Sequence, residues 1–282
     1  AVDYFDTSVI WVASNGSVGN NSITIKNTSL KYNVRNQPGK WLIGILSGNG
    51  SAINTDPATA ANSNLVFTNN EFLNVREGIV VSSSTTESLK STNITIENNN
   101  FGNLDSNVAP TLGVYALNSK NVQISNNQFI GITNNSTSTQ KFLNAVFLNA
   151  VNGFTITKNT INNLKINHSG ATTNAGITIN GASSNGVISK NTISDIRRSS
   201  GGAISGLILE SSVSSNNIEV NNNLIYNVST NGENNNTSGG HGISVRSGNG
   251  YKIYFNTVVL NSQENTTASN SALYLTGGTN ID

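Results

Sequence analysis

Residues able to do chemistry are sparse in this 282-residue chain, and the densest group lies past its middle. Arg197 and Arg198 are the only adjacent arginines, Asp195 stands two positions before Arg197, and the only histidines, His168 and His241, fall in polar segments on either side. Paired guanidiniums suit a carboxylate, which a planar fork of N–H donors grips with two parallel bonds. One expectation is therefore an anionic sugar held by Arg197 and Arg198, with His168 and His241 reaching in from flanking loops. The other is an Asp195 ion pair with either arginine beside two solvated histidines, because exposed charge pairs are common and weakly informative.

Other chemistries find fewer residues still. The 14 acidic side chains include no pair on one repeat with the spacing of a general acid and base. Calcium requires several oxygen ligands, and the absence of cysteine removes both thiolate metal sites and disulfides. No metal and no cofactor are expected. Tyr115, Phe147 and Tyr274 alternate with apolar neighbours, so an outward aromatic row would stack on sugar rings. Packing beneath long loops is the alternative for the same rings.

Composition narrows the partners. Charged residues make up 10% of the chain, net charge is +1, and the Lys and Arg are scattered, unlike the basic stripe of a nucleic-acid binder. No apolar run approaches the roughly 20 residues of a membrane-spanning helix. Polarity comes instead from Ser, Thr, 26 Gly and 52 Asn. That bias alone would suggest disorder or an Asn-rich aggregating tract. The order of the apolar residues argues otherwise.

Residues 92–104 read Thr-Asn-Ile-Thr-Ile-Glu-Asn-Asn-Asn-Phe-Gly-Asn-Leu, and relatives begin at Asn64, Asn121, Gly153, Asn185, Asn217 and Gly250. Aligning them puts Asn70, Asn99, Asn127, Asn159, Asn191, Asn223 and Asn256 in one column, at a period near thirty. Such a period is the mark of a solenoid. One inward column reads Ile25, Phe67, Ile96, Ile124, Ile156, Ile188, Val220, Ile253; the next reads Leu30, Phe72, Phe101, Phe129, Ile161, Ile193, Ile225, Val258. Polar residues lie between them, so the local period is two and the segments are strands. A further strand per unit includes 79–81, 146–148, 176–179, 206–209, 242–245 and 273–275. Each unit thus runs strand, Asn turn, short strand, variable loop, strand, turn. None buries its apolar face alone, and stacking on neighbours supplies the core. The Asn column would take left-handed corner angles and bond amide to amide along the axis.

The pattern Asn-x-hydrophobic-x-Ile-x-Asn-Asn-x-Phe/Ile, over about residues 9–282, resembles the right-handed parallel β-helix of the pectin-lyase-like superfamily. The expected fold is all-β, a single continuous solenoid over residues 1–282 of roughly eight to nine coils, with an internal Asn ladder. Both ends stop inside a unit, which leads us to expect a piece of a longer surface or secreted protein. The resemblance implies polysaccharide lyases and hydrolases as one possible class. Lyases of this kind use Lys and Arg as base and acid, which would fall on Lys165 and Arg197, with Arg198, His168 and His241 nearby; Ca2+ belongs only to that alternative. The acidic clusters of other enzymes of the superfamily have no match here. The favoured expectation is a non-enzymatic extracellular or cell-surface shaft, adhesin or filament. Its partners would be glycans or other copies, met through loops on one face with Tyr115, Phe147, Arg197, Arg198 and His241. Among outward pairs, Glu210 with Arg246 and Glu219 with Lys252 read as cross-coil salt bridges. Lys158 and Lys190 replace Asn beside the ladder in adjacent coils and need solvent or an acceptor.

Overall fold

The computed structural model describes residues 6–32, 41–103, 111–134, 143–166, 174–198, 202–230, 239–260 and 270–282. Strands follow one another in a cycle of three, and each pairs in parallel with the equivalent strand one coil away, giving three stacked sheets. The first sheet runs from Thr7–Ser14 through nine strands to Ser271–Leu275, the second from Thr24–Lys26 through nine to Thr279–Ile281. The third runs from Ser29–Lys31 to Thr257–Val259, with the short strand Thr133–Asn134 joining Thr160–Ile166 at its margin. The one helical element among the described residues is the single turn Glu87–Leu89. No helix among them is long and apolar enough to cross a membrane.

Register follows the apolar columns. Ile96, Ile124, Ile156 and Ile188 are mutual neighbours in the second sheet, as are Phe72, Phe101, Phe129 and Ile161 in the third. All eight are buried in one continuous core. Phe72, Phe101 and Phe129 stack with centroids 4.6 Å apart, the separation of the strands that carry them. Opposite them the first sheet carries Gly44, Gly78 and Gly113. A Cβ on Gly78 would lie 2.5 Å from the Phe101 ring, so the missing side chain makes room for the aromatic column.

The Asn column forms a bonded ladder. Nδ2 of Asn70 donates to Oδ1 of Asn99 at 3.2 Å, and the pattern repeats through Asn127, Asn159, Asn191 and Asn223 to Asn256. Each receiving oxygen also accepts the backbone N–H of the same donor residue, and the second amide hydrogen reaches a strand carbonyl such as Phe67 O at 2.9 Å. The amides are thereby satisfied in a place water does not reach. The first coil has Thr28 in this column, its N–H donating to Asn70 Oδ1.

One expectation needs correcting here. Left-handed angles belong to the residue before each ladder Asn: Asn27, Asn69, Asn98, Asn126, Lys158, Lys190, Asn222 and Phe255 have φ between 54° and 57°. The corner turns at that exposed position, which frees the next side chain to point inward and bond along the axis.

Candidate functional site

The third sheet places the basic residues. Lys165 and Arg197 are register partners on adjacent rungs and both are exposed. Arg198, one position on, faces the other way, in the column of Ile166 and Thr230. Its side chain is buried, donates from Nη1 to Ala203 O at 3.2 Å, and packs on Gly202, where a Cβ would meet the guanidinium at 2.6 Å. Burial draws its pKa below the usual guanidinium value. The paired clamp expected of Arg197 and Arg198 is therefore not assembled: strand alternation sends neighbouring side chains to opposite faces.

Asp195 holds the corner beside them. It has φ +54°, and its carboxylate accepts from Asn162 at 3.0 Å and Asn227 at 3.2 Å, one rung to each side. Arg197 reaches it at 3.4 Å with 58% of its side chain exposed, so that ion pair contributes little. Asp195 serves the turn first.

His241 lies on the outer face of the first sheet, in the strand Gly240–Ser247, rather than in a solvated loop. It is buried, shares a hydrogen bond with Ser271 Oγ through Nδ1 at 2.9 Å, and stacks on Tyr274 at 4.1 Å. Burial, aided by the Arg246 charge, pushes its pKa down to about 4, so the ring is neutral near pH 7. Its partners are thus residues of the next rung, not Arg197. His168 lies outside the described residues.

Tyr115 and Phe147 do share an outward column, running Leu46, Val80, Tyr115, Phe147, Thr178, Ile208, Ser244 and Tyr274. That column is covered. Leu46 and Val80 form a second apolar cluster with Ile43, against which Trp41, Ile53 and Tyr115 pack. Phe147 is 4% exposed and meets Tyr115 edge to face at 5.1 Å. Burial pushes the Tyr115 hydroxyl above the usual phenol range. A sugar-stacking platform on these two rings is not open in this structure, because Phe147 is buried and Tyr115 is half-buried against it and the second apolar cluster.

Outward ion pairs sit where the repeat puts them, with one adjustment. Glu210 bonds Arg246 at 2.9 Å, but a register shift after Leu209 sets Ser247 opposite Glu210 and leaves Arg246 as an inserted residue. Glu219 and Lys252 are true register partners, 3.5 Å apart.

Sequence reasoning missed Glu77. It stands on the outer face of the first sheet between Ile43 and Leu112, is buried, and has Arg76 Nε at 3.2 Å from one oxygen. Burial raises its pKa to about 8, outweighing the lowering by Arg76. The signal was available in principle: an acid stands where the neighbouring rungs carry Ile and Leu. Among the described residues no group of three or more His, Cys, Asp or Glu is placed to hold a metal ion. No protein-family model, curated protein or solved structure matches the chain.

Proposed function

We propose that this chain is a non-enzymatic shaft of an extracellular surface protein, adhesin or filament, built as a right-handed β-helix of the pectin-lyase-like kind. The reading rests above all on one observation: three parallel sheets stack rung on rung from the first described coil to the last, with a single bulge at Arg246, around an inner ladder of amides. Such a stack is stiff along its axis, because each rung is bonded to the next on three sides and at the corner. The variable segments between third-sheet and first-sheet strands, such as 135–142 and 231–238, leave from equivalent corners of successive coils. Insertions gathered on one face of a solenoid are a usual place for a binding surface. Neutral Asn, Ser and Thr side chains suit hydrogen bonding to glycans. Arg198 points to the opposite face and His241 lies on another sheet, so neither joins the neighbouring Lys165 and Arg197, which favours binding over turnover.

A glycan array separates the outcomes. Retention of a glycan that is lost when 135–142 and 231–238 are replaced by short Gly-Ser connections supports the reading. Uronic-acid polymers incubated with the protein, with and without calcium, should give neither unsaturated products nor new reducing ends. Turnover abolished by Arg197→Ala would overturn it.

A further inference from the structure

Lys and Arg look scattered along the chain, yet the fold gathers four of them. Between residues 143 and 198 the sequence carries Lys158, Lys165, Lys190, Arg197 and Arg198 against a single acid, Asp195. Arg198 is buried; the other four are exposed, and all four lie on two adjacent rungs. Lys158 and Lys190 stand one above the other at the corner entering the third sheet, between the paired positions Thr157–Ser189 and Thr160–Thr192. Lys165 and Arg197 are register partners near the far end of the same two strands. Within each pair the rungs are about 4.8 Å apart, and the pairs are separated by at most about 23 Å along the chain, with a bend at the left-handed residues Asn163 and Asp195 between them.

Two features set this strip apart from ordinary surface charge. Like charges one rung apart repel, and no described acidic side chain forms an ion pair with Lys158, Lys165 or Lys190. In addition, Lys158 and Lys190 both have φ +57°, in the corner column that Asn fills in five of the other described coils. Asn takes left-handed angles with little strain and Lys does not. Of the three coils that keep this strain without Asn, Phe255 carries a ring, whereas the adjacent Lys158 and Lys190 both set a cation there, and that doubling points to a ligand for the cations.

We propose that this strip binds a linear anionic polysaccharide, sulfated or carboxylated, lying along the third-sheet strands. Each end of the ligand segment is met by two cations. Thr160 and Thr192 lie between the ends and offer hydroxyl groups to sugar hydroxyls. Residues 159–164 and 191–196 include no aromatic ring on which bases would stack, which sets the strip apart from a single-stranded nucleic-acid groove. The far end of the strip adjoins the loop corner invoked above, while Lys158 and Lys190 lie at the opposite corner of the third sheet, and neither reading requires the other.

Fluorescence anisotropy of labelled dextran sulfate and labelled polygalacturonate with the 282-residue chain tests the proposal. Binding by at least one of them, weakening steeply as salt rises, is expected, with none to neutral dextran. The quadruple variant Lys158→Glu, Lys190→Glu, Lys165→Glu, Arg197→Glu should bind at least tenfold more weakly. Lys26→Glu with Lys31→Glu, two exposed lysines on the first rungs, should stay within twofold of the parent. If the quadruple variant loses its thermal transition, Lys158→Asn and Lys190→Asn with Lys165→Gln and Arg197→Gln carry the same comparison. The proposal is overturned if the charge-altered protein binds within twofold of the parent, if the control loses as much, if neither polyanion binds, or if single-stranded DNA binds more tightly than both. Weak loop-corner binding on a glycan array would leave these results untouched.

Discussion

Asn127 reaches Asn159 twice: its Nδ2 and its backbone N–H both donate to the same Oδ1, at 3.0 and 2.9 Å. One oxygen closes the corner of a coil and ties it to the next. Removing that oxygen strands two donors in a place with no water to take them. Asn159→Ala should therefore destabilise the solenoid by about 2–4 kcal/mol, measured by urea unfolding. Asn256→Ala, near the last described coil and partly exposed, should cost less. Equal losses at the two sites would show that the ladder is not a buried network.

Glu77 makes stability depend on pH. Its folded pKa, about 8, lies above the ordinary value of 4.5. The carboxyl is thus favoured in its protonated form in the fold, and its contribution is fully present below pH 4.5 and lost as pH rises through 8. Glu77→Gln should match the parent near pH 4 and exceed it at pH 8.5, by on the order of 5 kcal/mol. His241 is common to both proteins, so the difference between their unfolding curves isolates Glu77. A constant difference across that range would contradict the assignment.

Lys158 and Lys190 carry a conformational cost that Asn would lower. Lys158→Asn and Lys190→Asn should each stabilise the chain by about 0.5–1 kcal/mol, read as a higher midpoint in chemical denaturation. Lys165→Asn, on regular strand backbone, serves as the comparison and should give no such gain. A loss at both corner positions would mean that the lysine stems contribute packing that outweighs the strain.

Gly78 and Phe101 belong to one coil, and the equivalent positions two coils on toward the C-terminus are Ala145 and Ile161. Gly78→Ala should cost about 1–3 kcal/mol because the methyl group meets the Phe101 ring. Phe101→Ile in the same protein should recover part of that loss, a coupling that a double-mutant cycle reports directly. Strict additivity would rule out the steric account.

The strands and their register were legible because apolar side chains alternate with polar ones and recur at a fixed interval, which leaves few ways to stack Ile96 on Ile124 or Phe101 on Phe129. The corner was only half legible. Runs of two or three Asn revealed a turn, but not that the first residue bends the chain while the next bonds along the axis. Side-chain direction within the basic cluster was less visible still, because Arg197 and Arg198 look alike in sequence and differ only in the face to which alternation assigns them. The outer face of the first sheet was misread for a related reason. Phe147 and His241 are buried and Tyr115 is half-buried on that face, and no periodicity records what packs on the outside of a strand.

The exchange of stacked rings at Phe72, Phe101 and Phe129 for branched aliphatics at Ile161, Ile193 and Ile225 divides the core into two stretches of different packing. A duplicated unit inserted beside its parent would find a neighbour of its own cross-section and seat without repacking. The same unit carried across the boundary would set a flat ring against a β-branched chain. Growth by tandem copying is therefore easiest within a stretch, and the seam at Phe129 and Ile161 is where lengthening the molecule would need compensating substitutions.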